Sequence, residues 1–414
     1  MREFKVREIT VSVPKDEFGP EHVYEVYDQK TQETKGWVVV DNTARSPLDV
    51  GKGGTAMYPD LTLDITLRKA RIMTWKQVFC APIGEKSSYP AWGGAKGGII
   101  YDSNLPDARE VLMAWAKALG NYEFAPGKFV IPDKYIFGLD VGLRGWAAQA
   151  VVEALGNNPK ASTGKPKYLG GIPYDELGIT GLGVLESVKV NCPYANVKFK
   201  NAAISLQGLG AVGKGFIEHL KKMKKPPRIV AVSDSQGAVY LHTGFDLDKL
   251  LMVKEQRGSV IYYNPAQRIE PGEELFLSVD ILILSHKEDQ ITAENVHKVQ
   301  AKIIGQGANL GITPEAEKFL HQKGIWTLPD FVVNCGASKI VYMEYAGGTT
   351  KKGMSLVKKV IGTNSKLIIE ESIRQGNPPR EVAQKIAEKE VRKAMEERES
   401  LHRAHRFYDR NCLE

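Results

Sequence analysis

The sequence has little cysteine, no long apolar run and no strong excess of one charge. Four cysteines are spread over 414 residues and no two of them form a CxxC pair, so neither a disulfide framework nor a cysteine-rich zinc site is indicated. No uninterrupted apolar run is long enough to span a bilayer. The first eight residues mix charges and lack the apolar stretch of a secretion signal. We therefore expect reduced cysteines, no bound metal, no membrane association and a cytoplasmic location.

The charge balance argues against a nucleic-acid partner. The formal net charge is +7 at pH 7, which is small for a chain of this length. The densest basic run, residues 221–225, leads directly into Pro226-Pro227, and cations followed by proline are typical of a helix C-terminus. With 43% hydrophobic and 25% charged residues, the chain has the composition of a globular protein with two or three core-bearing units.

One stretch combines a lysine with four glycines. The sequence WGGAKGG covers residues 92–98 and precedes the apolar residues Ile99 and Ile100. Because glycine has no Cβ, such a segment lets the backbone approach a small ligand closely, and Lys96 would then be a single cation in a tight pocket. Lys96 is therefore our first catalytic candidate. The alternative is a glycine-rich turn that carries a solvated lysine.

A dinucleotide-binding fingerprint follows later in the chain. An apolar strand over 201–207 runs into GLGAVG at 208–213, which opens a predicted helix, and a second strand over 229–234 ends in an acid. In this pattern the glycines allow a tight turn and a close approach of the pyrophosphate, which the helix N-terminus binds. The predicted cofactor-binding residues here are Gly208, Gly210, Ala211, Val212, Gly213 and Asp234. Asp234 would accept a hydrogen bond from the adenosine ribose, which favours NAD but leaves NADP open.

Strands and helices continue to alternate after this fingerprint. Strands are predicted over 279–284 and 301–304, with a helix over 292–299 between them. The alternation predicts an α/β fold of the Rossmann type, a doubly wound parallel sheet that binds its ligand at the carboxyl ends of the strands. Asn309 follows one of these ends, and we expect it near the nicotinamide.

The first part of the chain predicts a second α/β unit. Alternating residues over 9–13 and 37–40, with a polar stretch between strand-like runs, predict strands and a hairpin. A helix is predicted over 61–79, where Lys76 would ordinarily be a solvated charge. Asp140 follows a strand-like segment. An aspartate at such a place is most often a cap or turn residue, and a catalytic role is the alternative.

Several short motifs occur in a fixed order along the chain. They are Lys52 in KGG, Lys76 in MTWK, Lys96 in GGAKGG, Asp140 in LDV, TGKP at 163–166, Thr180-Gly181, GLGAVG and Gly307-Ala308-Asn309. Each is modest alone, but together they resemble the glutamate/leucine/phenylalanine/valine dehydrogenase family over about residues 40–345. The phrases VSDS at 232–235 and ITPEA at 312–316 are similar to those of archaeal and bacterial glutamate dehydrogenases.

The resemblance implies reversible oxidative deamination. An L-amino acid gives its α-hydrogen as hydride to NAD(P)⁺, and the imino acid is hydrolysed to a 2-oxo acid and ammonia. By similarity, Lys76 would hold the α-carboxylate, Lys96 would activate water and Asp140 would carry protons to and from the amino group. Such chemistry needs a base near neutral pH, and burial together with neighbouring cations lowers the pKa of a lysine. The resemblance also places Thr180 at the cofactor and Asn334 at the substrate.

Two positions bear on the identity of the substrate. In glutamate dehydrogenases the counterpart of Lys52 and a serine hold the side-chain carboxylate, but the position of that serine is Val341 here, as in branched-chain and aromatic amino-acid dehydrogenases. Those relatives usually lack the lysine, whereas Lys52 is present. Ser338 lies three residues earlier on the same helical face and could partly replace the serine, or it is a small helix-packing residue. We prefer glutamate as the substrate, with an aliphatic amino acid as the alternative.

The resemblance further implies how the chain is organised. Residues 1–185 would bind substrate and form subunit contacts, residues 186–340 would bind the dinucleotide, and residues 341–414 would form helices that pack back across the hinge. The family implies a homo-oligomer, most often a hexamer, with small molecules as partners. Residues 84–90 look extra relative to the family and are interpreted as a surface loop or a lid. An alternative of a different class is a catalytically silent, regulatory homologue.

Overall fold

The computed structural model describes residues 3–11, 16–84, 92–345 and 347–411. The strands of the N-terminal half are β1 (Phe4–Glu8), β2 (His22–Asp28), β3 (Thr34–Asn42), β4 (Gly51–Lys52), β5 (Thr55–Met57), β6 (Gly93–Ile99), β7 (Glu123–Ala125), β8 (Lys128–Phe129) and β9 (Tyr135–Ile136). Its helices are α1 (Leu63–Val78), α2 (Ala108–Gly120) and α3 (Gly145–Ala154). One mixed sheet has the order β1-β2-β3-β6-β4-β9, with β5 paired to β6, and β7 and β8 form a separate hairpin.

The first strand lies earlier than predicted. Residues 4–8 pair with β2, from Phe4 opposite Asp28 to Glu8 opposite Tyr24. Beyond Glu8 only Val23 and His22 of β2 remain, and after one hydrogen bond from the Ile9 amide to the Val23 carbonyl oxygen (2.9 Å) the pairing ends. The predicted strand at 9–13 is therefore wrong for residues 9–11, and the remainder of it lies outside the described residues. The strand predicted at 37–40 is confirmed within β3.

The glycine–lysine stretch is a central strand of this sheet. It forms β6, which pairs with β3, β4 and β5, so the alternative of a turn with a solvated lysine is wrong. A Cβ on Gly94 would come within 2.1 Å of the Thr74 hydroxyl, and one on Gly98 within 2.4 Å of Leu61. The glycines therefore let α1 and the segment just before it pack directly on the strand. Helix α1 begins after Thr62, whose hydroxyl accepts a hydrogen bond from the Ile65 amide (3.2 Å).

The second half contains the predicted doubly wound sheet. Its strands are β10 (Ala203–Gln207), β11 (Arg228–Asp234), β12 (Gly237–Tyr240), β13 (Gln267–Ile269), β14 (Ile281–Leu284), β15 (Ile303–Gln306) and β16 (Trp326–Thr327). Its helices are α4 (Ile179–Asn191), α5 (Ala211–Leu220), α6 (Leu247–Arg257), α7 (Pro314–Gln322) and α8 (Asp330–Val333). The order is β13-β12-β11-β10-β14-β15-β16, and the pairs from β11 to β16 along this order are parallel. The α/β fold class and the Rossmann-type sheet are confirmed.

The helix predicted over 292–299 is wrong, because only a 3₁₀ turn at Val296–Lys298 forms there. Asn295 explains the difference. Its side chain accepts a hydrogen bond from the Thr292 amide (2.9 Å) and donates one to the Gln290 carbonyl oxygen (2.9 Å). Such side-chain bonds to the backbone compete with the hydrogen bonds of a helix.

Three helices complete the chain: α9 (Gly336–Tyr345), α10 (Thr350–Gln375) and α11 (Pro379–Asn411). Helix α10 packs on α4, and α11 reaches the N-terminal half through Arg398 and Glu21 (3.0 Å). Residue 185 lies inside α4, so a boundary at that residue would cut a helix, and the domain limits stay a prediction. Within the described ranges, no helix combines the length and apolar character needed to cross a membrane.

Candidate active site

Four lysines on β4, α1 and β6 are almost completely buried. They are Lys52 on β4, Lys69 and Lys76 on α1 and Lys96 on β6, with 4%, 2%, 5% and 1% of their surface exposed. Lysine is rarely buried to this degree unless its charge has a partner. Lys52, Lys76 and Lys96 were predicted to be site residues, whereas Lys69 was not. Its signal is the helical spacing, because Lys69 lies two turns before Lys76 and therefore on the same face of α1.

Lys96 and Asp140 form a buried ion pair. Asp140 lies in the loop after β9, and the Thr55 amide on β5 fixes this loop by donating to the Gly138 carbonyl oxygen (2.8 Å). The Lys96 Nζ atom donates to Oδ2 of Asp140, while the Val141 amide donates to Oδ1 (2.7 Å). The structure thus brings both predicted catalytic residues together in one contact.

The surroundings of this pair change both ionisations. Burial lowers the pKa of Lys96 below its ordinary value, Asp140 opposes this, and the charge of Lys69 adds to it. Burial acts to raise the pKa of Asp140, but Lys96 and Lys69 outweigh it and hold this pKa well below its usual range. Asp140 is therefore a carboxylate at neutral pH, and Lys96 loses its proton more easily than a lysine in water. A lysine that acts as a base needs such a shift.

Lys76 connects the N-terminal half to the dinucleotide sheet. Its Nζ atom donates to Oδ1 of Asn309 (2.7 Å), and burial lowers its pKa to about 8. Asn309 follows β15 at the carboxyl end of the sheet, and the Asn334 amide nitrogen donates to the same Oδ1 atom (3.0 Å). The Asn334 Oδ1 atom is buried and has no hydrogen-bond partner among the described residues. A ligand with a donor group would satisfy it.

Backbone carbonyl groups enclose Lys52. Its Nζ atom donates to the carbonyl oxygens of Phe137 (2.9 Å), Ile136 (3.2 Å) and Gly53 (3.4 Å). Burial lowers the pKa of Lys52 to about 7, although the nearby carboxylate of Glu344 acts against this. An ammonium group has three hydrogens, so a substrate carboxylate would have to replace at least one of these carbonyl contacts.

The two predicted substrate residues on α9 differ in their surroundings. Val341 is 4% exposed and belongs to the large apolar core. Ser338, one turn earlier, is half-buried. None of the hydrogen bonds among the described side chains joins Ser338 to Lys52. Whether Ser338 replaces the serine of glutamate dehydrogenases stays a prediction.

The loop between β10 and α5 has the shape of a pyrophosphate cradle. Gly208 has φ +87°, a left-handed conformation that favours glycine. A Cβ on Gly210 would meet no atom within 4 Å, whereas one on Gly213 would lie 2.2 Å from the Gly208 carbonyl oxygen. Open space at the second glycine and close packing at the third are what dinucleotide binding requires. Helix α5 begins at Ala211, so the amides of Ala211 and Val212 lie in its first turn and are suited to bind phosphate.

Asp234 ends β11, where it was predicted, but its carboxylate is already occupied. Oδ1 accepts hydrogen bonds from the Gln236 amide (2.9 Å) and the Ser259 hydroxyl (2.9 Å). Oδ2 accepts from the Lys254 ammonium (2.9 Å) and the Val260 amide (2.8 Å). Four bonds fill the acceptor positions of a carboxylate. A ribose hydroxyl would have to displace one donor, and the cofactor contact of Asp234 stays a prediction.

Other predicted features receive less support from the geometry. Thr180 is half-buried in the first turn of α4, and its contact with the cofactor stays a prediction. A Cβ on the neighbouring Gly181 would come within 2.1 Å of the Phe216 amide, so this turn packs directly on α5. Across the described part of the chain, no group of three or more His, Cys, Asp or Glu side chains could hold a metal ion. Apart from Gly84, the extra segment at 84–90 lies outside the described residues.

A glycine-rich loop at the carboxyl end of a Rossmann sheet, joined to a buried lysine–aspartate pair in a second α/β unit, defines a two-domain, dinucleotide-dependent dehydrogenase. Two family models match the chain: "Glu/Leu/Phe/Val dehydrogenase, dimerisation domain" over residues 20–154 and "Glutamate/Leucine/Phenylalanine/Valine dehydrogenase" over residues 170–399. The chain belongs to this family and is an NAD(P)-dependent amino-acid dehydrogenase, which confirms the family resemblance.

Known relatives extend over most of the chain. A glutamate dehydrogenase of Thermotoga maritima is 32% identical over 75% of this chain and 72% of its own length. One of Aeropyrum pernix is 31% identical over 87% of this chain and 85% of its own length. A crystal structure of the hetero-hexameric glutamate dehydrogenase from Thermus thermophilus in its leucine-bound form covers 96% of this chain and 89% of its own, with a TM-score of 0.76 and 24% identity. This last similarity shows the fold.

Proposed function

We propose that the enzyme catalyses the reversible oxidative deamination of L-glutamate to 2-oxoglutarate and ammonia with NAD(P). The observation that carries the reaction type is the buried Lys96–Asp140 pair. The charge of Lys76 acts on the same site, and the Lys76 Nζ atom donates to Oδ1 of Asn309 on the side of the Rossmann-type sheet (2.7 Å). The relatives described above, which are named glutamate dehydrogenases, support glutamate as the substrate.

Each proposed residue has a defined role in the reaction. Lys76 binds the substrate α-carboxylate. Its contact with Asn309 keeps that carboxylate near the half of the chain that contains the sheet β10–β16, which we call the dinucleotide half. Asp140 accepts a proton from the substrate ammonium, which leaves the amine lone pair free to form the imine. When bound, the nicotinamide accepts the α-hydrogen as hydride. Lys96 in its neutral form takes a proton from the water that attacks the imine carbon, and Asp140 returns a proton to the departing ammonia.

The catalytic roles can be tested at Lys96. Lys96→Met should lower kcat by at least about a hundredfold, because general base catalysis of this kind contributes roughly that much or more. It should leave dinucleotide binding intact, which NADH fluorescence would report. Lys302→Met, at a surface ion pair with Asp280 (2.8 Å), is the matched control and should keep normal turnover. Normal turnover in Lys96→Met would contradict the assignment, and no turnover in the unaltered enzyme would favour the regulatory homologue.

An aliphatic amino acid is the second candidate substrate. Val341 favours it because a valine cannot bind a second carboxylate, and so do the three carbonyl contacts of Lys52. Initial rates of reductive amination with 2-oxoglutarate and with 4-methyl-2-oxopentanoate, each with NADH and with NADPH, distinguish the two. A preference for 2-oxoglutarate that Lys52→Leu abolishes supports glutamate. A preference for the branched oxo acid contradicts it.

The proposal extends to the cofactor and the assembly. NAD is the preferred cofactor, with NADP as the alternative. The hetero-hexameric enzyme of Thermus thermophilus supports a hexameric assembly. That the subunits of the present enzyme are identical is what the family resemblance implies. Light scattering of the purified protein tests the hexamer, and a monomer in solution would contradict it. The cytoplasmic location stays a prediction.

A further inference from the structure

Two consecutive acids of the dinucleotide half contact two consecutive cations of α1. Glu288 and Asp289 follow β14, and Arg68 and Lys69 lie near the middle of α1. The Lys69 Nζ atom is 2.8 Å from Oε2 of Glu288, and we call this the inner pair. Arg68 donates to both carboxylate oxygens of Asp289 (2.9 and 2.8 Å), and we call this the outer pair. The Tyr58 hydroxyl also donates to Glu288 (3.1 Å).

The two pairs differ in burial. The side chains of Lys69 and Glu288 are 3% and 9% exposed, whereas those of Arg68 and Asp289 are 35% and 34% exposed. An exposed ion pair is screened by water and contributes little. Removing one partner of a buried pair leaves an uncompensated charge in a poorly solvated place. The inner pair therefore has the stronger effect on its neighbours.

Glu288 is fixed by the residue that precedes the dinucleotide loop. Gln207 ends β10 directly before Gly208, and its amide nitrogen donates to Oε1 of Gln290 (2.7 Å). The Gln290 amide nitrogen in turn donates to the Glu288 carbonyl oxygen (2.9 Å). The adjacent Asp289 amide donates to the Leu310 carbonyl oxygen (2.8 Å). The backbone at Glu288 is therefore linked by hydrogen bonds to the end of β10, directly before the dinucleotide loop, and to the segment after β15.

The inner pair lies among the charges that act on the catalytic lysine. The charged groups near Lys96 are Asp140 from the loop after β9, Lys52 from β4, Lys69 and Lys76 from α1, and Glu288 from the dinucleotide half. Lys69 and Glu288 act on Lys96 in opposite directions. Because Lys69 lies on α1 and Glu288 follows β14, their opposite effects on the pKa of Lys96 cancel only while the two halves of the chain are in contact.

We propose that Glu288 is a positioning residue of the reaction, delivered by the dinucleotide half to neutralise Lys69 beside Lys96. The contact between the two halves then completes the charge balance of the catalytic lysine. This inference rests on the proposed function, in which neutral Lys96 is the base.

The pH dependence of kcat/KM tests this role, since its acid limb reports the ionisation of the base in the free enzyme. Glu288→Gln leaves Lys69 as an uncompensated cation, which disfavours charged Lys96, so the acid limb should move to lower pH by about one unit. Lys69→Met leaves the Glu288 carboxylate alone, so the limb should move to higher pH by a similar amount. The double variant should return close to the original midpoint. Asp289→Asn, at the outer pair, should leave the midpoint unchanged.

A purely structural role would lower kcat or the melting temperature but would not shift the two single variants in opposite directions. Shifts in the same direction, or no shift in either, would overturn the inference. Should Lys69→Met fail to fold, Lys69→Gln makes the same test with a polar side chain. Failure of the proposed function is distinguishable, because Lys96→Met would then keep its turnover. If Lys96→Met is inactive but the acid limbs of Glu288→Gln and Lys69→Met stay in place, the role of Glu288 is refuted while the proposed function stands.

Discussion

The pH dependence of inhibitor binding would show what Lys52 recognises. Burial lowers the pKa of Lys52 to about 7, so half of the molecules carry its charge at pH 7 and roughly one in a hundred at pH 9. A ligand carboxylate bound to charged Lys52 should therefore lose affinity about fivefold from pH 7 to 8 and about fiftyfold from pH 7 to 9. Below pH 6 the lysine is fully charged and the affinity should level off.

The assay compares two competitive inhibitors. Glutarate has two carboxylates, whereas 4-methylpentanoate has one carboxylate and an apolar end. Both share the contact with Lys76, whose pKa of about 8 affects them equally, so the ratio of their inhibition constants isolates Lys52. In Lys52→Met this ratio should become independent of pH, and glutarate should inhibit weakly at every pH.

Two results would refute the reasoning. A glutarate-to-4-methylpentanoate ratio that stays constant from pH 6 to 9 would show that Lys52 does not bind the second carboxylate. An unchanged slope in Lys52→Met would assign the ionisation to another group. Tighter binding of 4-methylpentanoate at pH 6, where Lys52 is charged, would favour an aliphatic substrate and give Lys52 a structural role on its three carbonyl oxygens.

Three further predictions concern the cofactor site and the C-terminal helices. Gly213→Ala would place a Cβ 2.2 Å from a backbone oxygen, so it should lower the melting temperature and weaken NADH binding. Gly210→Ala should weaken NADH binding without changing the melting temperature. Equal melting temperatures of the two variants would contradict this. Asp234→Asn should lower the melting temperature, because it disturbs four hydrogen bonds. It should change the ratio of NADH to NADPH affinity by less than about threefold. A large change of that ratio with an unchanged melting temperature would instead show that Asp234 contacts the ribose. Arg380 on α11 is buried against Glu317 (2.6 Å) and Asp330 (2.7 Å), so Arg380→Met should cost about 3–5 kcal/mol in urea unfolding; a loss below about 1 kcal/mol would contradict this.

The features that the sequence predicted correctly are local in the chain. The fingerprint of β10, its glycine loop and α5 occupies consecutive residues, and each glycine has a role that depends on its immediate neighbours. Helix α1 and strand β3 follow from periodicity and capping over a few turns or residues. The resemblance to the family rests in the same way on short motifs and on their order.

Local pattern was not sufficient where distant residues decide the structure. Four glycines around Lys96 are typical of a turn, but the sheet and α1 enclose them because Gly94 and Gly98 leave room for Thr74 and Leu61. Residues 9–11 alternate like a strand, yet β2 begins at His22, so its pairing ends after one hydrogen bond to Ile9. Neither outcome is encoded within the segment itself.

The sequence by itself therefore determined the fold class, the family and the residues Lys96 and Asp140 as candidates. Only the tertiary structure showed that these two side chains meet, that Asp234 is already fully hydrogen-bonded, and that Lys69 and Glu288 join the site from opposite halves of the chain. The physical reason is that burial and charge pairing depend on what folding brings together across long separations. Helical and strand periodicity carry no information about such contacts.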